Sequence, residues 1–217
     1  MIIAIDGPSG SGKSTTAKGV AKILGLTYLD TGAMYRAVTY GLIKANIDLK
    51  SHKKICEYLE EIDIIFDISN HIILNEVDVS SEIRKKNITA KVSKVSSIPE
   101  VRKKMVDMQR KISNNIDCVI EGRDIGTVVF PNAEYKFFLT ADKMVRARRR
   151  MLEFENMGEK IEFNEVLAGI EERDKLDSSR IHSPLKKAKN AINIDSSFLT
   201  IDEQIKLIVD KIRNKNK

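Results

Sequence analysis

The chain has 217 residues, of which 42% are hydrophobic and 31% charged, and its formal net charge at pH 7 is +6. This composition is typical of one soluble globular domain, and the basic balance suits polyanionic partners, whether small ligands or nucleic acids. No apolar run approaches the roughly 20 residues of a membrane helix, the N-terminus enters a strand directly, and the two cysteines lack metal-ligand spacing, so we expect a cytoplasmic protein without membrane contact. A monomer is our default expectation, because the sequence does not give the oligomeric state.

The first predicted element is a short buried strand at residues 2–5, which runs into the glycine-rich turn G-P-S-G-S-G-K-S and a helix starting near Lys13. Glycines let backbone N–H groups curl around phosphate oxygens, and the lysine adds a positive charge for the outer phosphates. The hydroxyl of Ser14 suits Mg²⁺, and the helix N-terminus favours the same anion. The pattern predicts a nucleoside triphosphate site made by Gly7, Pro8, Ser9, Gly10, Ser11, Gly12, Lys13, Ser14 and Thr15.

A second strand, at residues 27–29, leads into D-T-G-A-M-Y-R at residues 30–36, and apolar residues at helical spacing follow. Arg36 can offer two parallel N–H groups to a phosphate, while Thr31 and Tyr35 supply hydroxyls and an aromatic surface. We therefore expect a second anion site at the start of this helix.

A stretch with a different period comes next, because apolar residues alternate over residues 62–68. Asn70-His71 suggests a turn, and residues 72–74 and 77–79 predict two further short strands. The prediction is a small antiparallel insert near residues 62–84. Such a unit cannot bury both faces alone, so it docks on the main body or moves as an attached lobe.

A capping box is predicted at Ser97 and Glu100, followed by apolar residues on one helical face. Arg102 falls just beside this apolar stripe. Its guanidinium can therefore leave the edge of the core for a cleft.

The buried strand at residues 118–120 is followed by the charged segment E-G-R-D-I-G-T-V-V-F-P at residues 121–131. Ligands of open α/β sheets bind beyond the carboxyl ends of strands. Burying charged side chains at that edge without a function would cost free energy. We therefore take Glu121, Arg123 and Asp124 as candidate site residues.

The next strand, at residues 135–139, precedes a basic helical run that begins with Arg146. The run has no interleaved aromatic residues, so a base-stacking surface for nucleic acid is not expected. Two interpretations remain open for these arginines, a solvated helix face and a phosphate-facing surface.

A third charged cluster, at residues 171–180, predicts a helix that places Arg173, Asp177 and Arg180 on one face. Surface ion pairs would explain this cluster taken alone. Because two other anion sites are predicted, we favour a second interpretation, in which the two guanidinium groups and the carboxylate face a nucleotide.

The last elements are a strand at residues 191–194 and a helix opened by a second capping box, Thr200 and Glu203. Buried strands thus alternate with helices along most of the chain. This alternation predicts an α/β fold with a five-stranded parallel sheet flanked by helices and a small antiparallel β insert.

Taken together, these motifs resemble the bacterial cytidylate kinases, within the nucleoside monophosphate kinases, over nearly the whole chain. The matching segments are G-P-S-G-S-G-K-S-T at 7–15, D-T-G-A-M-Y-R at 30–36, S-x-V-x-x-x-P-x-V-R at 93–102, E-G-R-D-I-G-T-V-V-F-P at 121–131 and E-R-D-x-x-D-x-x-R at 172–180. The resemblance implies the P-loop nucleoside monophosphate kinase fold as one domain over residues 1–217. Within it, a monophosphate-binding lobe at 31–100 would carry the β insert, and a lid would span 150–168 with Gly158 as its hinge.

The resemblance also implies an activity, in which ATP donates its γ-phosphoryl group to CMP or dCMP in pyrimidine nucleotide metabolism, with Mg²⁺ and without nucleic acid. Lys13, Arg123 and Arg173 would be catalytic. Arg36, Arg123 and Arg173 would hold the acceptor phosphate; Ser93, Arg102 and Asp124 would read cytosine; Asp177 and Arg180 would engage the ribose; and Thr31 and Tyr35 would line the acceptor site.

Ser14 and Glu121 are the implied metal-contacting residues. Relatives commonly place aspartate where this chain has Glu121, and glutamate keeps the charge but adds a methylene, which changes the reach of the carboxylate toward Mg²⁺.

Three other functions compete with this one. The chain lacks the N-K-x-D segment with which GTPases read guanine, which disfavours that class. A related kinase acting on UMP or AMP would share the phosphate-binding turn. A nucleic-acid-binding module would use the basic surface and would show strongly salt-dependent binding.

Overall fold

The computed structural model describes residues 1–156 and 158–215. They form two compact units. The first combines Met1–Leu29 with the segment that starts at Asn115, and the second is Asp30–Asn114. Among the described residues, no helix has both the length and the apolar character that crossing a bilayer requires.

A five-stranded parallel sheet forms the centre of the first unit and confirms the predicted fold class. Its strands are β1 (Ile2–Asp6), β2 (Thr27–Asp30), β6 (Cys118–Gly122), β7 (Tyr135–Thr140) and β8 (Ile192–Asp195), in the spatial order β2-β6-β1-β7-β8. The central strand β1 pairs Ile2 with Cys118 of β6 and Ile3 with Tyr135 of β7. Because β1 is flanked on both sides, Ile3, Ala4 and Ile5 are fully buried, as the continuous run predicts.

The helices of this unit are α1 (Lys13–Leu24), α7 (Lys143–Asn156), α8 (Phe163–Ser179) and α9 (Ile201–Lys215). Helix α1 packs against α9, and α7 packs against α8. The predicted capping box of α9 is confirmed. The Thr200 backbone N–H donates to the Glu203 carboxylate at 2.8 Å, and the Glu203 N–H donates to the Thr200 hydroxyl at 3.3 Å.

The second unit surrounds helix α2 (Thr31–Lys44), which packs against α5 (Val92–Ser96), α6 (Pro99–Ile112) and strand β4 (Ile72–Leu74). Its other elements are α3 (His52–Glu61), β3 (Ile64–Phe66), β4 (Ile72–Leu74), β5 (Val77–Asp78), a 3₁₀ turn (Glu82–Arg84), α4 (Lys86–Thr89), α5 (Val92–Ser96) and α6 (Pro99–Ile112). The three short strands form an antiparallel sheet in the order β3-β4-β5, which confirms the predicted insert. Asn70 supplies the predicted turn with a φ of 62°.

The capping box predicted at Ser97 and Glu100 is wrong. The Ser97 hydroxyl donates to the Lys94 carbonyl at 2.7 Å, and Glu100 accepts from His52 Nδ1 at 2.9 Å. Helix α6 begins instead at Pro99, because the ring presets a helical φ and the first turn does not need its N–H.

The predicted lid at 150–168 includes the end of α7 and the start of α8 and remains a prediction. Its residue Met157 lies outside the described residues. Gly158, the predicted hinge, has a φ of 79°.

Candidate functional site

The glycine-rich turn at residues 7–14, here called the phosphate loop, connects the end of β1 to the start of α1. A Cβ atom at Gly7 would overlap the carbonyl oxygen of Leu139 on β7, so only glycine fits this close approach. Gly12 has a φ of 87° at the position just before α1, a conformation that side chains resist. These two glycines turn the chain from the sheet edge into the helix and leave backbone N–H groups of the loop to face an anion.

Lys13 is 5% exposed, and its ammonium donates to the Pro8 carbonyl within the loop at 2.6 Å. Burial lowers the pKa of Lys13 below its ordinary value, and the charges of Arg123 and Arg173 lower it further against the opposing effect of Glu121. A bound anion would stabilise the protonated form of Lys13 against these neighbouring positive charges. Ser14 and Thr15 follow it and are exposed on the first turn of α1.

Three arginines surround one carboxylate beyond the carboxyl end of β6, and we call this group the arginine cluster. Arg123 Nε donates to Asp177 Oδ2 at 3.0 Å, Arg173 Nε lies 3.9 Å from the same oxygen, and Arg180 Nη1 lies 3.8 Å from Asp177 Oδ1. Burial raises the pKa of Asp177, but attraction to the three guanidinium groups outweighs it and leaves the pKa below its ordinary value. Two predicted sites, distant in sequence, thus converge.

Helix α8 ends at Ser179, one residue before Arg180, the last of the three residues predicted on one helical face. Arg180 is the C-cap residue with an extended backbone, φ −63° and ψ 141°. The prediction that Arg180 continues the helix is therefore wrong, but the side chain still reaches the cluster. Its Nη2 also lies 3.9 Å from Asp124 Oδ1, which links the cluster to the predicted cytosine-reading residue.

Sequence reasoning missed Asp6, the last residue of β1. Its carboxylate accepts from the backbone N–H groups of Ile125 at 2.9 Å and Gly126 at 2.8 Å. It therefore anchors the π-helical turn (Ile125–Val129) that begins just after Asp124. Burial raises the pKa of Asp6 to about 6. A charged residue at the end of an apolar strand was the available signal.

Arg146 was also left unassigned, and the structure excludes a solvated role for it because it is 6% exposed. Its guanidinium donates to the Ser9 carbonyl of the phosphate loop at 3.1 Å and forms an ion pair with Asp174 of α8 at 2.7 Å. Helices α7 and α8 are thereby tied to the loop. A further arginine, Arg149, donates to the Ser196 carbonyl at 2.6 Å.

Glu121 is 4% exposed on β6, and Tyr28 of β2 donates its phenol hydrogen to the Glu121 carboxylate. Carboxylate and hydroxyl oxygens are the donors that Mg²⁺ prefers, so Glu121 and Ser14 fit this metal. Among residues 1–156 and 158–215 no group of three His, Cys, Asp or Glu residues could hold a metal ion.

The remaining predicted residues belong to the second unit. Thr31 is the first residue of α2, and Arg36 pairs with Asp30 at 3.1 Å. The Arg102 guanidinium lies 5.4 Å from the ring centroid of Tyr35 and donates to the Ser96 carbonyl at 3.1 Å. Arg102 is 4% exposed, and the contact with the Tyr35 ring shelters its guanidinium; its access to a cleft stays a prediction.

Ser93 is buried on α5, the short helix that precedes α6. In the second unit the structure thus pairs Tyr35 with Arg102 and Arg36 with Asp30. In the first unit it groups Lys13, the arginine cluster and Asp124.

The phosphate loop lies between the first strand and the first helix of a parallel sheet, and arginines lie beyond the carboxyl end of a neighbouring strand. These features define a nucleotide-binding α/β protein of the phosphate-loop class. The sequence profile of the cytidylate kinase family matches residues 3–214. The chain therefore belongs to the cytidylate kinase family, whose members are phosphotransferases.

Relatives support this membership. A cytidylate kinase of Caldanaerobacter subterraneus subsp. tengcongensis is 50% identical over 215 residues, covering 99% of this chain and 96% of its own length. One of Fusobacterium nucleatum is 51% identical, covering 98% and 97%. Among solved structures, TT1252 from Thermus thermophilus aligns with a TM-score of 0.52 at 16% identity, covering 100% of this chain and 98% of its own, which is a similarity of fold alone.

Proposed function

We propose that this protein transfers the γ-phosphoryl group of ATP to CMP and dCMP, giving ADP and the corresponding diphosphate. The observation that carries the proposal is the arginine cluster around Asp177, in the same unit as the phosphate loop, in a chain of the cytidylate kinase family. A phosphate loop alone would serve any nucleoside triphosphate enzyme. Guanidinium groups next to it add a place for a second phosphate group, which a kinase needs and a simple hydrolase does not.

The donor half of the reaction uses the phosphate loop. Backbone N–H groups hold the phosphate chain of ATP, and the Lys13 ammonium exchanges its contact with the Pro8 carbonyl for contact with the outer phosphates. Ser14 and Glu121 would hold Mg²⁺, which would supply positive charge to offset the negative charge of the triphosphate.

The acceptor half of the reaction uses guanidinium groups. Arg36, Arg123 and Arg173 bind the phosphate of CMP, and Asp177 with Arg180 engages the ribose. Asp177 holds the arginines of its cluster in place before the acceptor arrives, because it pairs with each of them. Thr31 and Tyr35 line the same acceptor site.

The base is read by Ser93, Arg102 and Asp124. A carboxylate can accept from the exocyclic amine of cytosine, whereas uracil presents a carbonyl oxygen in that place. The backbone next to Asp124 is held in place for this role, because Asp6 accepts hydrogen bonds from the turn that follows Asp124.

In the chemical step, an oxygen of the CMP phosphate forms a bond to the γ-phosphorus while the bond to the β,γ-bridging oxygen breaks, and ADP leaves. The charge in the transition state spreads over the transferred oxygens, so Lys13, Arg123 and Arg173 act by position and charge. The reaction therefore needs no general base from the protein. Their work is to align the two phosphates and to exclude water.

A coupled assay of ADP release tests the proposal, with ATP as donor and CMP, dCMP, UMP and AMP as acceptors. We expect kcat/KM for CMP and dCMP to exceed that for UMP and AMP by at least about tenfold. A preference for UMP or AMP of that size would replace cytidylate with another acceptor, and ADP release independent of any acceptor would replace kinase activity with hydrolysis.

A further inference from the structure

Asp30 uses both oxygens of its carboxylate at the junction between β2 and α2. Oδ1 accepts from the Ala33 backbone N–H at 2.8 Å and so caps the N-terminus of α2. Oδ2 accepts from Nη2 of Arg36 at 3.1 Å. One side chain therefore stabilises the start of the helix and fixes the direction of an arginine one and a half turns away.

The pair is sheltered, since the side chains of Asp30 and Arg36 are 13% and 18% exposed. Gly32 makes room for it. A Cβ atom at Gly32 would lie 3.1 Å from both Arg36 Nη1 and Asp30 Oδ1, closer than such atoms usually approach. Any larger residue at this position would press on the two partners, so the backbone here is adapted to the ion pair.

Arg36 has donor capacity beyond this pair. Its Nε is buried and finds no hydrogen-bond acceptor among residues 1–156 and 158–215. Asp30 takes one of the five guanidinium N–H groups, and the others remain for a ligand that brings several acceptor oxygens. A phosphate group does so in the planar, two-bond geometry that arginine favours.

We propose that Asp30 is a positioning residue for the acceptor phosphate, which orients the Arg36 guanidinium before the nucleotide binds. The proposal rests on the function proposed above, in which Arg36 contacts that phosphate. A long side chain loses rotamer freedom when it binds a ligand, and Asp30 imposes this loss on Arg36 during folding instead. Arg36 is a cation with several N–H groups, so it can pair with the Asp30 carboxylate and with a phosphate group at the same time.

The variant Asp30→Asn separates the two tasks of this carboxylate. Asparagine caps helices as well as aspartate does, so the contact with the Ala33 N–H is kept, while the charge opposite Arg36 is lost. We expect KM for CMP to rise about fivefold to tenfold, with kcat and KM for ATP each changed by less than about twofold. The melting temperature should fall by about 2–4 °C, as expected for the loss of one partly exposed ion pair.

Two further variants make the test specific. In an Arg36→Gln background, Asp30→Asn should raise KM for CMP no further, because the residue through which Asp30 acts is gone. The matched control is Thr200→Ala, which removes the cap of α9 through the contact that Thr200 makes with Glu203. It should lower the melting temperature without changing KM for CMP, as expected of a cap with no link to a ligand.

Wild-type turnover of CMP is measured first. If the wild type does not phosphorylate CMP, the proposed function fails and this inference fails with it. If turnover is present, three results overturn the inference alone: an unchanged KM for CMP in Asp30→Asn, a lowered KM, or an equal rise in the Arg36→Gln background. A lowered KM would mean that Asp30 competes with the phosphate for Arg36.

Discussion

Replacing Asp177 by asparagine should destabilise the protein strongly, because this one carboxylate serves all three guanidinium groups of the arginine cluster. Breaking a buried ion pair by removing one partner typically costs about 3–5 kcal/mol. Arg123 and Arg173 are 19% and 24% exposed, so water offsets part of the loss, and we expect the lower end, about 3 kcal/mol. In a domain of this size each kcal/mol shifts Tm by about 2–4 °C, which gives a loss of about 6–12 °C.

The assay is thermal unfolding of the nucleotide-free wild type and Asp177→Asn between pH 3 and 7. The folded-state pKa of Asp177 lies below its ordinary value of 3.8, so its charge stabilises the folded state above pH 3.8. That contribution is lost as the pH falls through the folded-state value. The stability difference between wild type and variant should therefore be constant from pH 5 to 7 and should shrink toward pH 3.

An exposed aspartate on α9 provides the control, since Asp210→Asn should change the unfolding free energy by less than about 0.5 kcal/mol. A Tm loss below 2 °C for Asp177→Asn would contradict the reasoning, because the carboxylate would then not be needed to hold the arginines. A difference from the wild type that persists unchanged at pH 3 would contradict the electrostatic origin of the effect.

Three further substitutions test the assigned roles. Lys13→Ala should lower kcat roughly 100-fold or more, because the outer phosphates lose their cation. Its Tm should stay within about 3 °C of the wild-type value, because the substitution removes a buried charge. Near-normal turnover would show that Lys13 has no role in the reaction. Asp124→Asn should lower kcat/KM for CMP about tenfold more than for UMP, and an equal loss on both substrates would show that this carboxylate does not read the base. Arg173→Lys loses the planar two-bond geometry, so KM for CMP should rise about tenfold, and an unchanged KM would place Arg173 away from the acceptor phosphate.

The fold could be predicted from the sequence because its signals are local. The apolar run at the start of β1, the glycine-rich turn after it and the alternation at residues 62–68 each report on a few neighbouring residues, and the five-stranded sheet and the antiparallel insert are confirmed. The strand order is another matter. It places β6 between β2 and β1, and this depends on crossovers whose packing no local pattern encodes.

The same distinction explains the errors at helix ends. Thr200 and Glu203 cap α9 as predicted because the two residues satisfy each other and face solvent. Ser97 and Glu100 have the same spacing, but Ser97 finds an acceptor in the preceding turn, and Glu100 finds His52 on another helix. A motif of this kind predicts structure only where no better partner lies nearby in space.

Within the candidate site, the residues proposed to bind a ligand lie in segments that the sequence marks, whereas the residues that support those segments could not be predicted. Arg123 and Asp177 are 54 residues apart in sequence, yet each lies in a charged segment that is conspicuous on its own. Asp6 and Arg146 act through backbone groups 119 and 137 residues away. A backbone carbonyl or N–H carries no signature in the sequence, so supporting contacts of this kind emerge only from the structure.

The transfer of a labelled phosphoryl group tests the central claim most directly. ATP labelled in its γ-phosphate is incubated with the protein, Mg²⁺ and equal amounts of CMP and UMP, and the products are separated. We expect the label to appear in the β-phosphate of CDP, with little in UDP or in inorganic phosphate. Label found mainly in inorganic phosphate would contradict phosphoryl transfer to a nucleotide, and label found mainly in UDP would contradict the reading of cytosine.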